Sequence, residues 1–395
     1  MKLAVFNRHF ARRAGGAESY SVSLVEGLAE QRLTDGAFEF DIHVFAQTID
    51  HSHPRVTYHK VPGPLRRPRW INQLVFATYT WWKTKAGFDV IHSHENTWHG
   101  QVQTVHVRPI RYNLFHPNHQ ALTGWRLCLR WLKVCTSPRL GFYVWLEAAR
   151  MRQPVVVTVS DEMHRQTLAA YPYLGAQSVP IILPGVGTPD VSLTKEAART
   201  KLGLSLHQKT LLFVGNDYAR KGLPALLAAM PALEGNIHLL CVGAASQKPK
   251  FQLMAAELGI ADRVHFVGAL ADVSLAYRAA DMLVHPTLED SFAMVVLEAM
   301  SYGLPVVVSS AQYCGISAFL QDEVDALILK NPRDSVALTL AIHRLIKDPG
   351  LGVLLRESGL HFASRHHYAK VIDKYRLLFN KIINLNENKN SYTSS

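Results

Sequence analysis

Residues Asp281–Pro305 read DMLVHPTLEDSFAMVVLEAMSYGLP, and the order of signals in this stretch sets the fold class. The apolar run Met282–Pro286 predicts a strand reaching to about Thr287. A short acidic loop follows, and Ser291 has the chemistry to cap a helix starting at Phe292. A second apolar run, Pro305–Ser309, then predicts another strand. Strand, helix and strand in succession form parallel strands with a helical crossover. Asp290 precedes this helix and Glu298 sits about two turns inside it, which lets both carboxylates address one cleft. The helix N-terminus offers backbone N–H groups and a positive dipole end, suited to a phosphate or a cluster of sugar hydroxyls. Read alone, the same acids serve equally as a dipole complement and a solvated helix face.

The same alternation extends in both directions. Leu211–Val214 closes on Gly215, Ile237–Val242 on Gly243 and Val264–Val267 on Gly268, as in a doubly wound sheet whose ligand-facing loops follow the strands. The first of these loops, Gly215–Gly222 (GNDYARKG), carries Arg220 and Lys221. Arg grips a phosphate as a fork and Lys adds a point charge, although adjacent cations often do no more than face water. Toward the N-terminus, the strand Lys2–Phe6 leads through a glycine-containing loop into the helical pattern Ala17–Glu30. Strand-like runs recur at Asp41–Ala46, Asp89–His92 and Pro154–Val159. The segment Pro180–Pro189 (PIILPGVGTP) marks a boundary. The expectation is an α/β protein of two Rossmann-like domains, 1–185 and 186–365, facing across a cleft. Residues 366–395 form a C-terminal helix able to return to the N-domain, ending in a polar tail from Asn386.

Length and composition agree with two globular domains: 395 residues, 48% hydrophobic and 18% charged. The net charge of +11 is concentrated in the first half. From His51 to Leu146 the only acids are Asp89 and Glu95, against thirteen Lys and Arg, so this half seeks an anionic partner. No apolar run approaches the roughly 20 residues that span a bilayer, and Leu3–Phe6 is too short for a secretory leader. Cys128, Cys135, Cys241 and Cys314 form no C-x-x-C pair, which argues against zinc sites and disulfide frameworks and for a reduced, cytoplasmic protein.

Taken together, RKG at Arg220–Gly222, EDSFAMVVLEAM at Glu289–Met300 and GGAE at Gly15–Glu18 resemble the retaining GT-B glycosyltransferases of family 4, over nearly the whole chain. GNDYARKG is most similar to the loop of lipopolysaccharide core α-glucosyltransferases. The resemblance implies an acceptor-binding N-domain and a C-domain that binds a nucleotide-sugar, a UDP-sugar by preference. Glu298 would hold the ribose hydroxyls, Asp290 the sugar hydroxyls, and Arg220 and Lys221 the diphosphate, framed by Gly215, Ser291, Phe292 and Ala293. Gly15 and Gly16 would let the first loop approach the phosphates, although an ordinary strand-to-helix turn explains them as well. The implied reaction moves a hexose with retention of configuration by front-face attack, the leaving phosphate taking the acceptor's proton. It needs no metal and no other cofactor. Two positions depart from the family pattern: the first acid is Asp290, preceded by Glu289, where the family has Glu. Pro184-Gly185-Val186-Gly187 stands where an Asn-Gly-Val-Asp is usual.

His92, His94, His99 and His106 crowd one region, but their spacing matches no common zinc pattern. By resemblance His106 lies near the donor sugar; His94 is the weaker candidate. Asp161 resembles the family's acidic helix start and reads as a helix cap. Pro64–Lys85 mixes Arg66, Arg67, Arg69, Lys83 and Lys85 with Trp70, Trp81 and Trp82. On Gly124–Cys135 one helical face holds Trp125, Cys128, Leu129, Leu132 and Cys135, while Arg126, Arg130 and Lys133 line another. Either stretch alone suits a domain-core helix with a basic edge. Together they point to peripheral binding at the anionic inner face of the cytoplasmic membrane, beside a lipid-linked or lipopolysaccharide acceptor. No nucleic-acid-binding motif is present. Two rival readings stand beside this one. A nicotinamide oxidoreductase wants G-x-G-x-x-G after the first strand, which Ala14–Glu18 does not supply. A catalytically silent nucleotide-sugar-binding homologue is consistent with Asp290.

Overall fold

The computed structural model describes all residues except 13–15, 66–67, 118–119, 176–178, 191, 244–245, 271 and 394–395, with side chains to residue 385 of the last helix. Gly15, Arg66 and Arg67 therefore lie outside the described residues. The chain forms two units, Met1–Pro184 with Tyr368–Ser395, and Gly185–His367.

In the first unit six parallel strands lie in the spatial order Val56–Lys60, Asp41–Ala46, Lys2–Phe6, Val90–Ser93, Val102–Val105, Val155–Thr158. Numbered by sequence this is 3-2-1-4-5-6, the doubly wound order whose reversal lies between the first and fourth strands. Leu3–Phe6 of the first strand are all apolar because both of its faces are covered. Leu3 and Val5 pack with Val25 and Leu28 of helix Gly16–Ala29 and with Ile372 and Phe379 of the terminal helix. Ala4 and Phe6 point the other way, against Phe76 of helix Arg69–Lys83.

The terminal helix, Tyr368–Thr393, is thus a structural part of the first unit. Tyr375 is fully buried, and its hydroxyl meets Tyr20 Oη at 3.0 Å and Thr104 Oγ1 at 2.9 Å. The helix also runs through most of the stretch expected as a tail from Asn386.

The second unit repeats the topology. Its parallel strands lie in the order Val264–Gly268, Ile237–Val242, Lys209–Val214, Met282–His285, Val306–Ser309, Leu327–Leu329, again 3-2-1-4-5-6. Leu211 and Phe213 share a core with Leu226, Leu227 and Phe251 from neighbouring helices. Where the chain enters and leaves this unit, the Val186 amide donates to His366 O at 2.9 Å, fastening the two crossings side by side.

Three expectations are corrected. The strand after Asp281 ends at His285, not near Thr287. Its helix spans Met294–Ser301 instead of starting at Phe292, which leaves Glu298 little more than one turn inside. The cap of helix Asp161–Ala170 is Ser160, whose hydroxyl accepts from the Met163 amide, so Asp161 is its first residue.

Candidate active site

In the second unit the topological reversal lies between Lys209–Val214 and Met282–His285, paired at Leu212 and Leu283. The loops that follow both strands meet there, as the fold dictates for ligand sites. Their approach depends on Gly222, whose φ is +84° and whose missing Cβ would sit 1.8 Å from Pro286 O. The Leu288 amide donates to Arg220 O at 2.8 Å, tying the loops by backbone. A Cβ on Gly215 would press the Lys221 side chain at 2.8 Å, so this glycine leaves room for the lysine stem.

Lys221 Nζ forms an ion pair with Asp290 Oδ2 and reaches Glu289 O at 3.4 Å. The fully buried His285 approaches the same carboxylate oxygen with Nε2 at 3.3 Å. A carboxylate only accepts, so His285 carries its proton on Nε2. Asp290 Oδ1 takes the Ala293 amide at 3.0 Å. Burial opposes the Asp290 charge, but the His285 hydrogen bond and the Lys221 ammonium hold its carboxyl well below the usual range. Burial lowers the His285 imidazole in turn, against the pull of Asp290.

The Ala293 contact explains why Ser291 does not cap the helix. Asp290 takes the amide that Ser291 was expected to serve, and Ala293 becomes the N-cap in a left-handed conformation (φ 70°, ψ 71°). Phe292 is buried beneath this turn. Arg220 is more exposed: its amide donates to Asp217 Oδ1 at 3.1 Å, and its Nε lies 3.6 Å from Asp217 Oδ2. Glu298 accepts from Tyr277 Oη at 2.6 Å, and Tyr277 stacks on Tyr302. Burial raises the Glu298 carboxyl, partly offset by the Tyr277 bond. The two acids of the motif therefore have separate partners, Lys221 with His285 for one and Tyr277 for the other.

In the first unit, His94 and His106 directly follow the adjacent strands Val90–Ser93 and Val102–Val105. Their rings stack at 5.1 Å, with His94 Nδ1 2.8 Å from His106 Nε2. His92 is buried and meets Thr104 Oγ1 at 2.7 Å. Arg150, also buried, donates to Asn96 Oδ1 at 2.8 Å and to the Thr104 carbonyl. Gly16 is the exposed first residue of its helix. Among the described residues no three His, Cys, Asp or Glu side chains converge so as to hold a metal ion.

Sequence reasoning missed His285 and Tyr277. His285 stands inside an apolar strand run, where a histidine just before Pro286 was the available signal.

The basic, Trp-bearing stretches form helices Arg69–Lys83 and Gly124–Thr136. On the second helix only Val134 is buried, while Trp125, Leu129 and Leu132 are 68%, 53% and 60% exposed, so a core-helix reading fails. Leu122, Trp125, Arg126, Leu129, Arg130 and Lys133 line a shallow pocket of about 350 Å³. Trp81 and Trp82 of the first helix are also exposed, with Lys85 and Lys83 over their rings at 4.0 and 4.5 Å. Among the described residues no helix is long and apolar enough to cross a membrane.

Two parallel sheets of identical order, each in its own Rossmann-like unit, define the GT-B glycosyltransferase fold. The solved structure of WaaG, a glycosyltransferase involved in lipopolysaccharide biosynthesis, matches 94% of this chain and 98% of its own, with a TM-score of 0.77 and 20% identity. The Anabaena protein Alr3699/HepE, solved with UDP and glucose, matches 96% and 99% with a TM-score of 0.73 and 16% identity. Residues 208–348 match the family model of glycosyl transferases group 1. In sequence, the lipopolysaccharide glucosyltransferase WaaG of Escherichia coli K12 is 30% identical over 173 residues, 43% of this chain and 46% of that protein. The chain thus spans about half the length of the curated relatives it matches.

Proposed function

We propose that the protein transfers a hexose from a nucleotide-sugar, a UDP-sugar by preference, to a lipid-linked or lipopolysaccharide acceptor, with retention of configuration. The observation that carries this reading is the Lys221–Asp290–His285 cluster at the topological reversal of the second unit, beside the exposed Arg220. The UDP-bound form of Alr3699/HepE supports the choice of nucleotide.

Glycosyl transfer develops negative charge on the departing diphosphate. Arg220 and Lys221 are assigned to it, since preorganised cations stabilise developing charge at little reorganisation cost. Asp290 and His285 fix Lys221 before substrate arrives. Glu298 accepts from the ribose hydroxyls, and Ser291, Phe292 and Ala293 line the helix start. With cations at the diphosphate the reaction runs without a metal, the leaving phosphate accepting the acceptor's proton. The N-terminal unit takes the acceptor, with His106 as a hydrogen-bonding group for sugar. Helices Arg69–Lys83 and Gly124–Thr136 rest on the anionic inner face of the cytoplasmic membrane, where such an acceptor is found; their exposed Trp, Leu, Arg and Lys side chains support this placement.

The test is calorimetric binding of UDP, GDP, ADP and NADH to wild type and to the Arg220→Ala, Lys221→Ala double variant, followed by turnover with the sugars of the nucleotide that binds. Selective binding of one nucleoside diphosphate, lost in the variant, and transfer with an unchanged anomeric configuration are expected. Binding of NADH alone, or equal binding by the variant, overturns the donor site. Binding without turnover makes the protein a silent binding module.

A further inference from the structure

His94 and His106 stand at the carboxyl-end rim of the first unit's sheet, where side chains face ligand in this fold. Burial, with the Arg150 cation adding to it, lowers the His106 imidazole to about 3. Burial also holds His94 well below its ordinary value, helped by His92, His106 and Arg150. Both rings are therefore neutral at physiological pH, and each carries one N–H and one lone pair. Their 2.8 Å contact joins His94 Nδ1 to His106 Nε2, so one of these nitrogens donates.

The other nitrogen of His94 decides which. Among the described residues His94 Nε2 is buried with no hydrogen-bond partner. If His106 donated, the His94 proton would sit on Nε2 as a buried N–H with no partner among the described residues, which costs more than a lone pair left unshared. If His94 donates from Nδ1, only a lone pair is left unshared on Nε2. The neighbouring His92 follows the same pattern, with Nε2 on Thr104 Oγ1 and no partner for Nδ1 among the described residues.

We propose that His94 is a positioning residue for His106: it donates Nδ1–H to His106 Nε2 and so fixes the His106 proton on Nδ1, where it is a hydrogen-bond donor to a sugar hydroxyl. In this state His106 is not a general base, because its one lone pair is already occupied by His94. The Tyr20 ring, packed edge-on at 5.1 Å from His106, holds the imidazole in this orientation. What His106 touches rests on the transferase reading above; its tautomer does not.

The experiment uses the full chain labelled with ¹⁵N-histidine, His106 being assigned with the His106→Gln variant. Long-range ¹H–¹⁵N spectra of wild type at neutral pH are expected to show His106 with Nδ1 protonated and Nε2 bare. His94→Phe is expected to give a mixture of His106 tautomers and to lower kcat about 10–100-fold, the usual scale for losing an orienting partner, with donor KM changed less than about 2-fold. His94→Asn places an amide N–H near the position of Nδ1 and is expected to restore most of the kcat and the single tautomer. A His106 proton on Nε2 in wild type overturns the proposal, as does a His94→Asn variant no better than His94→Phe. If wild type transfers no sugar, the transferase reading falls while the spectra still decide the tautomer. Transfer by a wild type with the Nε2 proton overturns this inference alone.

Discussion

Tyr277 donates its hydroxyl to Glu298 Oε2 at 2.6 Å, joining helix Ser274–Ala279 to the second acid of the Glu289–Met300 stretch. The bond orients a carboxylate whose other lone pairs are assigned to the ribose. Burial raises the Glu298 carboxyl above its ordinary 4.5, and Tyr277 offsets part of that rise. In the proposed donor site nucleotide binding needs the charged form, so affinity is expected to fall as pH drops through the raised pKa. Tyr277→Phe removes the offset and moves the fall to higher pH. With a hydrogen bond to a charged group contributing about 1.5 kcal/mol or more, affinity for the nucleoside diphosphate on the acid side of the fall drops roughly tenfold. Calorimetry between pH 5 and 8 on both proteins checks this, and superimposable profiles contradict it.

Asp290→Asn removes the charge that balances Lys221. Breaking a buried ion pair from one side costs roughly 3–5 kcal/mol, and this carboxylate also holds the Ala293 amide, so the lower end is expected once Asn keeps that contact. The folded pKa of Asp290 is depressed, so its stabilisation is fully present above the ordinary value of 3.8 and fades as pH falls below it. Urea unfolding of both proteins is expected to show a constant gap from pH 5 to 7 that narrows toward pH 2. A gap independent of pH assigns the loss to packing instead.

How much of this was legible in the sequence varied with the kind of residue. Asp41–Ala46 and Ile237–Val242 were readable to the residue because each is a short, mostly apolar run, the second bounded by Asn236 and Gly243. Val102–Val105 was not, since it buries Gln103 and Thr104 completely and so breaks the apolar pattern. Val56–Lys60 hid for the opposite reason: it is an edge strand, mostly polar, with only Val56 buried. In the site, the motif singled out Lys221 and Asp290, but they lie 69 residues apart and nothing local reveals that they pair. That pairing also moved the helix start, because Asp290 spends an oxygen on Ala293. His94 looked weaker than His106 on sequence grounds, yet the fold hydrogen-bonds one to the other.

Gly222→Ala tests how closely the two donor-site loops must pack. The added methyl would meet the Pro286 carbonyl, a backbone atom directly after strand Met282–His285, and the φ of +84° is strained for alanine. Strain alone costs of order 1–3 kcal/mol, and the clash forces the loops apart. A loss of at least about 2 kcal/mol in unfolding free energy is expected, together with weakened nucleotide binding. Replacing Gly187, where a Cβ would meet nothing within 4 Å, is the control and is expected to leave both measurements unchanged.

The exposed face of helix Gly124–Thr136 makes a separate prediction about the membrane. Trp125, Leu129 and Leu132 offer apolar area with Arg126, Arg130 and Lys133 beside them, the arrangement that lies in a bilayer interface. Each basic side chain at an anionic surface contributes about 1 kcal/mol. Changing Arg126, Arg130 and Lys133 together to Gln should therefore weaken binding to phosphatidylglycerol-containing vesicles by on the order of 10²-fold. The wild type should lose affinity with added salt, and the triple variant much less so, because screening acts on charge and not on apolar burial. Trp125→Ala with Leu132→Ala should weaken binding while leaving the salt slope intact. Since these side chains are exposed or, for Arg130, half-buried, neither variant should change thermal stability by more than a few tenths of a kcal/mol. Flotation on vesicles with and without anionic lipid distinguishes the outcomes: equal binding to neutral vesicles by all three proteins removes this helix from the membrane and leaves its apolar face for a protein partner.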